Sequence, residues 1–128
     1  MRNEILFVDD ESRKVGFIID GIRYRLTKKY EDFYIVKYFE EAFEALKYVE
    51  ENSGNVYMVA ADMAMPEIDG LTLLQSIHGK FGNEIKYFLI SGGDFSEKIL
   101  SNRFISGFID KDDLEKEILK FINENHRD

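Results

Sequence analysis

The 128-residue sequence contains no cysteine, a single proline and no long apolar segment. The absence of cysteine excludes a disulfide framework, a thiolate zinc site and a cysteine nucleophile. No apolar run approaches the roughly 20 residues that a membrane-spanning helix needs. The opening MRNEILFVDDE reaches two aspartates after four apolar residues, unlike a secretory signal peptide. We therefore expect a cytoplasmic protein that has no membrane partner.

Positive charge is also scarce, because 17 lysines and arginines face 25 aspartates and glutamates, giving a formal net charge of −8. This balance argues against direct nucleic-acid binding, since each phosphate contact needs a cation. Apolar residues make up 45% of the chain and aromatic residues 14%, enough to form a hydrophobic core. The length suits one domain, so we expect residues 1–128 to fold as a single unit.

Short apolar segments alternate along the chain with longer amphipathic ones. The uninterrupted run ILFV at 5–8 is typical of a strand buried on both faces. Further strands are predicted at 33–39, with the character of an edge strand, and at 56–62, 85–90 and 105–110. Helical spacing follows each of them: a helix capped by Asp10 or Ser12, then helices at 40–51, from Asp69 to about 79, at 94–104 and from about 114 to 122. Five strands that are each followed by a helix predict an α/β fold, a parallel sheet with helices on both faces.

Polar residues stand where the predicted strands end. In such a sheet the ligand site lies beyond the carboxyl ends of the strands. Asp9 and Asp10 follow the first strand, and Asp62 ends the third. Ser91 follows the fourth and Lys111 the fifth. Three carboxylates, a hydroxyl and an ammonium are therefore expected at one edge of the sheet.

This set of groups suits phosphoryl transfer. Three crowded carboxylates repel one another, and a hard divalent cation such as Mg²⁺ relieves the repulsion. Lys111 can neutralise a transferred phosphoryl group, and Ser91 can donate a hydrogen bond to it. Asp62 is the best-placed acceptor, since it lies at the centre of the predicted edge with an open loop after it. An aspartyl phosphate formed there could drive a conformational change.

Four segments of the chain resemble those of two-component response-regulator receiver domains, which belong to a superfamily of chemotaxis-regulator-like proteins. The segments are ILFVDDE at 5–11, DMAMPEIDG at 62–70, LISGG at 89–93 and GFIDK at 107–111. The resemblance implies a three-layer, flavodoxin-like, doubly wound sheet with strand order 2-1-3-4-5. It also implies a phosphorelay switch that is not a turnover enzyme, whose phosphodonor is a histidine kinase or a histidine phosphotransfer protein. The output partner stays unidentified.

Carried over by position, the resemblance gives each residue at this edge a role. Asp62 matches the phosphoacceptor, and Asp10 matches a direct Mg²⁺ ligand together with Asp62 and the backbone carbonyl of Ala64. Asp9 would act on Mg²⁺ through water. Ser91 matches the switch hydroxyl of the family, Lys111 matches its invariant lysine, and Phe108 matches its aromatic switch residue.

The sequence departs from the family pattern at several positions. Receivers usually carry a proline after the lysine with a cis peptide bond, whereas Asp112 follows Lys111 here, so we expect a trans bond and a shifted loop. Gly92 and Gly93 predict a mobile loop and an open phosphoryl pocket. Neither Ala64 nor Gly93 can hold an attacking water, so we expect slow self-dephosphorylation.

The resemblance also implies a switch and an output surface. Phosphorylation would draw the Ser91 hydroxyl toward the phosphoryl group, and Phe108 would rotate into the vacated space. The output surface would be formed by the fourth helix, the fifth strand and the fifth helix, around Glu97, Lys98, Arg103, Asp110 and Lys116.

Other functions stay open at this point. Taken singly, these residues are ordinary helix caps, turn residues, surface charges and core aromatics. A phosphohydrolase of the haloacid-dehalogenase type would need a second Asp two residues after its nucleophile, where this chain has Glu11 or Ser12. A nucleotide or flavin binder would need a glycine- or hydroxyl-rich loop after the first strand. A receiver-like interaction module that takes no phosphate is the third alternative.

Overall fold

The computed structural model describes residues 1–127, apart from the Ser12 side chain, and contains one five-stranded parallel sheet. The strands are Glu4–Val8 (β1), Ile35–Phe39 (β2), Val56–Asp62 (β3), Lys86–Ser91 (β4) and Gly107–Asp110 (β5). The helices are Ser12–Tyr30 (α1), Ala42–Asn52 (α2), Gly70–Phe81 (α3), Glu97–Leu100 (α4) and Leu114–Asn125 (α5). The sheet order is β2-β1-β3-β4-β5, which confirms the predicted doubly wound fold with β2 at one edge.

The core lies on both faces of the sheet because strand side chains alternate between them. On β1, Ile5 and Phe7 join the cluster under α1 and α5, whereas Leu6 and Val8 join the cluster under α2 and α3. All five residues of β1 are buried, as expected for a strand covered by helices on both sides. The result is a three-layer sandwich that fixes the ends of β1 and β3 rigidly.

Several predicted boundaries are wrong by a few residues. β2 begins at Ile35 instead of 33, and β5 begins at Gly107 instead of 105. Ile105 is buried without pairing as a strand, because burial alone does not create a ladder of hydrogen bonds. The N-cap of α1 is Glu11 rather than Asp10 or Ser12.

The fourth helix is much shorter than the predicted 94–104. It spans only Glu97–Leu100, capped at its start by the Ser96 hydroxyl, which accepts a hydrogen bond from the Ile99 N–H. At its end, the Asn102 amide donates to the carbonyls of Lys98 and Ile99. Such local side-chain bonds compete with continuation of a helix.

Two local predictions are confirmed. Asp69 caps α3 by accepting a hydrogen bond from the Thr72 N–H at 2.8 Å. No cis peptide bond is present in residues 1–127, so the bond between Lys111 and Asp112 is trans. None of the helices in the described part of the chain is long and apolar enough to cross a membrane.

Candidate functional site

The parallel register brings the ends of the strands to one edge of the sheet. Val8 is aligned with Ala61, and Asp62 with Ile90. On the far side, Ser91 is aligned with Asp110. The residues that end or follow these strands therefore lie side by side, as the sequence predicts for the acids, the hydroxyl and the lysine.

Three carboxylates converge at this edge. Asp9, Asp10 and Asp62 each offer an oxygen, and these oxygens lie within 4.8 Å of one another. Asp9 is 2% exposed and Asp62 is 4% exposed, whereas Asp10 is open to solvent. The cluster is thus an acidic pocket in which Asp9 and Asp62 are buried and Asp10 lies exposed at the mouth.

Lys111 is the cation that faces this cluster. Its Nζ lies 3.4 Å from Asp9 Oδ2, 3.6 Å from Asp62 Oδ1 and 3.7 Å from Glu11 Oε2. The lysine side chain is 20% exposed. It follows β5 directly and lies in a one-turn 3₁₀ helix, Lys111–Asp113, in which Asp110 Oδ1 accepts a hydrogen bond from the Asp112 N–H.

One ammonium does not neutralise this concentration of carboxylates. Burial, reinforced by the negative charges of Asp9, Asp10 and Glu11, raises the pKa of Asp62 to about 6 despite the attraction of Lys111. Burial likewise raises the pKa of Asp9. Burial alone would lower the pKa of Lys111, but the neighbouring carboxylates outweigh it and raise that pKa. The pocket therefore carries excess negative charge that a further cation would relieve.

The donor set fits a hard divalent cation. Asp9 Oδ2 is buried and makes no hydrogen bond, although the Lys111 ammonium lies nearby. A buried carboxylate oxygen without a hydrogen bond is costly unless a cation or water satisfies it. Mg²⁺ prefers oxygen ligands at about 2.0–2.1 Å and keeps several waters, which suits a pocket with one open side. Asp9, Asp10 and Asp62 are the residues that would hold it.

The backbone around Asp62 is closely packed. A Cβ atom on Gly70 would lie 2.2 Å from the Asp62 carbonyl oxygen, so only glycine fits where α3 begins. The Gly70 N–H donates to the Met63 carbonyl at 3.0 Å, and the Met63 N–H donates to the Ile90 carbonyl at 2.7 Å. These contacts fix the chain on both sides of the loop that carries Ala64, which lies exposed two residues after Asp62.

Ser91 and Phe108 lie on the neighbouring strands β4 and β5. Ser91 Oγ accepts a hydrogen bond from the Gly93 N–H at 3.0 Å. The half-buried Phe108 ring packs edge-on against Phe95 in the β4–α4 loop, with the ring centroids 5.3 Å apart. Cβ atoms on Gly92 and Gly93 would meet nothing within 4 Å, so the space around this loop is open.

Sequence reasoning missed two residues at this site. Glu11 approaches Lys111 from the mouth of the pocket, and its place directly after the acid pair was a usable signal. Tyr38, at the end of β2, donates its hydroxyl proton to the Asp9 carbonyl at 2.7 Å. Burial and then the charges of Asp9, Glu40 and Asp10 raise the pKa of Tyr38 to about 12, so it stays a donor. The local sequence gives no signal for Tyr38, because its hydrogen bond to Asp9 depends on the pairing of β2 with β1.

Comparison with known proteins places this geometry in a family. The family model described as response regulator receiver domain matches residues 5–123. Among curated proteins, the sensor kinase CckA of Brucella abortus (strain 2308) is 34% identical over 88 residues. That match covers 69% of this chain but only 8% of the relative, so the chain corresponds to a small part of that protein.

Solved structures agree. The receiver domain from the hybrid histidine kinase CckA has a TM-score of 0.72 at 28% identity, with 95% of this chain and 97% of that chain covered. A CheY-like receiver domain protein from Methanospirillum hungatei JF-1 has a TM-score of 0.75 at 24% identity, with 97% and 93% covered, and shows the shared fold. Since the family match extends over nearly the whole chain, this protein belongs to the response regulator receiver domain family.

Proposed function

We propose that this domain is a phosphorelay switch in which Asp62 accepts a phosphoryl group from a phosphohistidine, with Mg²⁺ as cofactor. The observation that carries the proposal is the buried Asp62 carboxylate, set within reach of both Lys111 and two further acids. Receiver domains are signalling domains rather than turnover enzymes, and they bind Mg²⁺ through an acidic pocket. The kinship with the receiver domain of a hybrid histidine kinase supports a histidine kinase or a histidine phosphotransfer protein as the donor.

The residues divide the chemistry between them. An Asp62 carboxylate oxygen attacks phosphorus, the bond from phosphorus to the donor imidazole nitrogen breaks, and its electron pair returns to the imidazole. The Lys111 ammonium, 3.6 Å from Asp62, pairs with the charge that the phosphoryl oxygens bring. When bound, Mg²⁺ would supply further charge neutralisation for those oxygens. Asp10, Asp62 and the Ala64 carbonyl would hold the cation directly, and Asp9 would act on it through water.

The switch uses the β4–α4 loop. Once a phosphoryl group is present, the Ser91 hydroxyl leaves the Gly93 N–H and donates to a phosphoryl oxygen. Phe108 then turns inward and changes its edge-on contact with Phe95. Ala64 and Gly93 offer no side chain that could hold a hydrolytic water, which supports a long-lived acyl phosphate.

The direct test is incubation of the protein with Mg²⁺ and acetyl phosphate, followed by intact mass measurement. We expect a mass gain of one phosphoryl group that requires Mg²⁺ and is absent in Asp62→Asn. The matched control is Asp32→Asn, which changes an exposed aspartate in the turn between α1 and β2 and is expected to react like the wild type. A folded wild-type protein that gains no mass would overturn the proposal in favour of an interaction module that takes no phosphate.

A further inference from the structure

The charge of the molecule is distributed unevenly, with helix α1 strongly basic. Residues 12–30 contain six basic residues and one acid, a net charge of +5, so the remainder of the chain carries −13. All six basic side chains are exposed to solvent: Arg13, Lys14, Arg23, Arg25, Lys28 and Lys29. A helix of this kind on an acidic domain provides a localised region of positive potential.

The second half of α1 borders a groove against α5 with a volume of about 620 Å³. This α1–α5 groove has an apolar floor formed by the partly buried Leu119 and Tyr30 side chains, beneath which Leu26 is buried in the core. Its rim carries cations from α1, namely Arg25, Lys28 and Lys29. The volume is within the range of about 300–1,000 Å³ that is common for ligand sites.

Aromatic rings and cations alternate along this rim. Lys28 Nζ lies 5.8 Å from the centroid of the Tyr24 ring, and Lys29 Nζ lies 5.5 Å from that of Tyr30. Tyr24 is 65% exposed, although it is a large ring beside an apolar floor. Exposed tyrosine rings are enriched at protein-recognition surfaces, and the neighbouring lysines add positive charge.

The carboxylate in the groove is already paired. Glu115 Oε1 lies 3.6 Å from Arg25 Nε and occupies the space above Gly21, where a Cβ atom would approach it to 2.6 Å. Because Arg25 neutralises Glu115, the two rim lysines are left to meet an anionic ligand. They form no ion pair with any residue in the described part of the chain.

The α1–α5 groove is separate from the phosphoacceptor pocket. α1 begins directly after the acid pair, and the stretch from Tyr24 to Tyr30 lies 12–18 residues further along it. At 1.5 Å per residue, that is about 18–27 Å from the start of the helix. An occupant of the groove therefore leaves Asp62 accessible to a phosphodonor.

We propose that the α1–α5 groove docks an acidic amphipathic helix of a partner protein. The apolar floor accepts the apolar face of such a helix, and the lysine rim pairs with carboxylates along its edge. A long polyanion such as duplex DNA would extend beyond the groove and meet the −13 charge of the rest of the chain. A short acidic helix stays within the groove, where Arg25, Lys28 and Lys29 outnumber the carboxylate of Glu115. This site goes beyond phosphorylation and does not depend on it.

The test uses the full chain labelled with ¹⁵N and a synthetic helical peptide with leucines on one face and glutamates on the other. We expect amide shift changes confined to the second half of α1 and to α5. Lys28→Glu combined with Lys29→Glu should weaken binding by about tenfold, from the loss and reversal of two partly exposed ion pairs. Lys47→Glu combined with Lys80→Glu is the matched control, since it alters net charge equally at two exposed lysines on α2 and α3 and should leave binding unchanged.

Several results would overturn the proposal. The absence of amide shift changes at millimolar peptide, or shift changes outside the groove, would do so. Equal losses of affinity in both double variants would do so too, as would equal binding of a peptide that has the same composition but no apolar face. Tighter binding of duplex DNA or of anionic vesicles through the same lysines would assign the groove to a polyanion or a membrane surface instead. Asp62→Asn should bind the peptide like the wild type, so the outcome is independent of phosphorylation.

Discussion

At the scale of single residues, the central fact is that the fold keeps a carboxylate where it is electrostatically unfavourable. Asp62 is 4% exposed, lies close to Asp9 and Asp10, and is only partly compensated by Lys111. Packing of β3 between β1 and β4 holds it there. A group that is destabilised when ionised is stabilised by whatever brings positive charge, so under the proposed function a bound Mg²⁺ would relieve the pocket.

The raised pKa of Asp62 predicts an unusual pH dependence of stability. Its folded pKa, about 6, lies above the ordinary value of 3.8, so the native state binds more protons than the unfolded state between these values. The contribution of Asp62 to the free energy of unfolding is therefore fully present below pH 4 and is lost as the pH rises through 6. In metal-free protein at pH 7, Asp62→Asn should raise the free energy of unfolding by on the order of 2 kcal/mol.

Urea unfolding with and without EDTA at pH 4 and pH 7 measures this effect. The stabilisation by Asp62→Asn should disappear at pH 4, where the wild-type carboxyl group is protonated. Mg²⁺ should stabilise the wild type at pH 7 and have a much smaller effect on the variant. Asp32→Asn should show neither effect, and a variant less stable than the wild type at pH 7 would contradict the prediction.

At the scale of secondary-structure elements, the sequence predicted which segments form strands and helices better than where they begin. Buried strands such as β1 and β3 carry continuous apolar runs, which identify them without further context. The end of the predicted 94–104 helix depends on the Asn102 side chain bonding to nearby carbonyls, a competition that apolar spacing does not report.

Only part of the candidate site could be predicted from the sequence. Residues that end or follow strands, such as Asp62 and Lys111, were predictable because parallel strands bring their carboxyl ends to one edge. Tyr38 was not, since its hydrogen bond to Asp9 exists only once β2 pairs with β1 in register, with Tyr38 opposite Phe7. Contacts that depend on the register between distant segments cannot be predicted before the fold is known.

The junction between β3 and α3 allows a prediction at this scale. Gly70→Ala would place a Cβ atom 2.2 Å from the Asp62 carbonyl oxygen, which is backbone and cannot move away without displacing the strand end. We expect a loss of about 2 kcal/mol of unfolding free energy, as for overpacked cores, together with weakened Mg²⁺ binding. Thermal unfolding and Mg²⁺ titration measure the two effects.

Gly79→Ala is the control on the same helix. A Cβ atom at Gly79 meets nothing within 4 Å, so the substitution should raise stability by about 0.5–1 kcal/mol through helix propensity. If both variants behaved alike, the close approach of α3 to Asp62 would not be the cause.

At the scale of the whole molecule, charge separates two surfaces. The acidic pocket lies at the carboxyl edge of a domain whose net charge is −8, whereas the exposed basic residues of α1 extend down one side. A small anionic phosphodonor must approach against the overall field, whereas a protein donor can present complementary charge. Under the proposed function, this distribution would favour protein phosphodonors over free acyl phosphates in the rate of encounter.

Ionic strength should therefore affect phosphorylation by small donors in a defined direction. The Debye length falls from about 30 Å at 0.01 M salt to about 10 Å at 0.1 M, so salt screens the repulsion between the domain and acetyl phosphate. At saturating Mg²⁺, we expect the initial rate of phosphoryl uptake to rise by roughly two- to fivefold between these conditions. The Lys47→Glu and Lys80→Glu double variant, with its greater negative charge, should show a larger rise. A rate that falls with salt while Mg²⁺ stays saturating would mean that local attraction by Lys111 and the bound cation outweighs the field of the whole molecule.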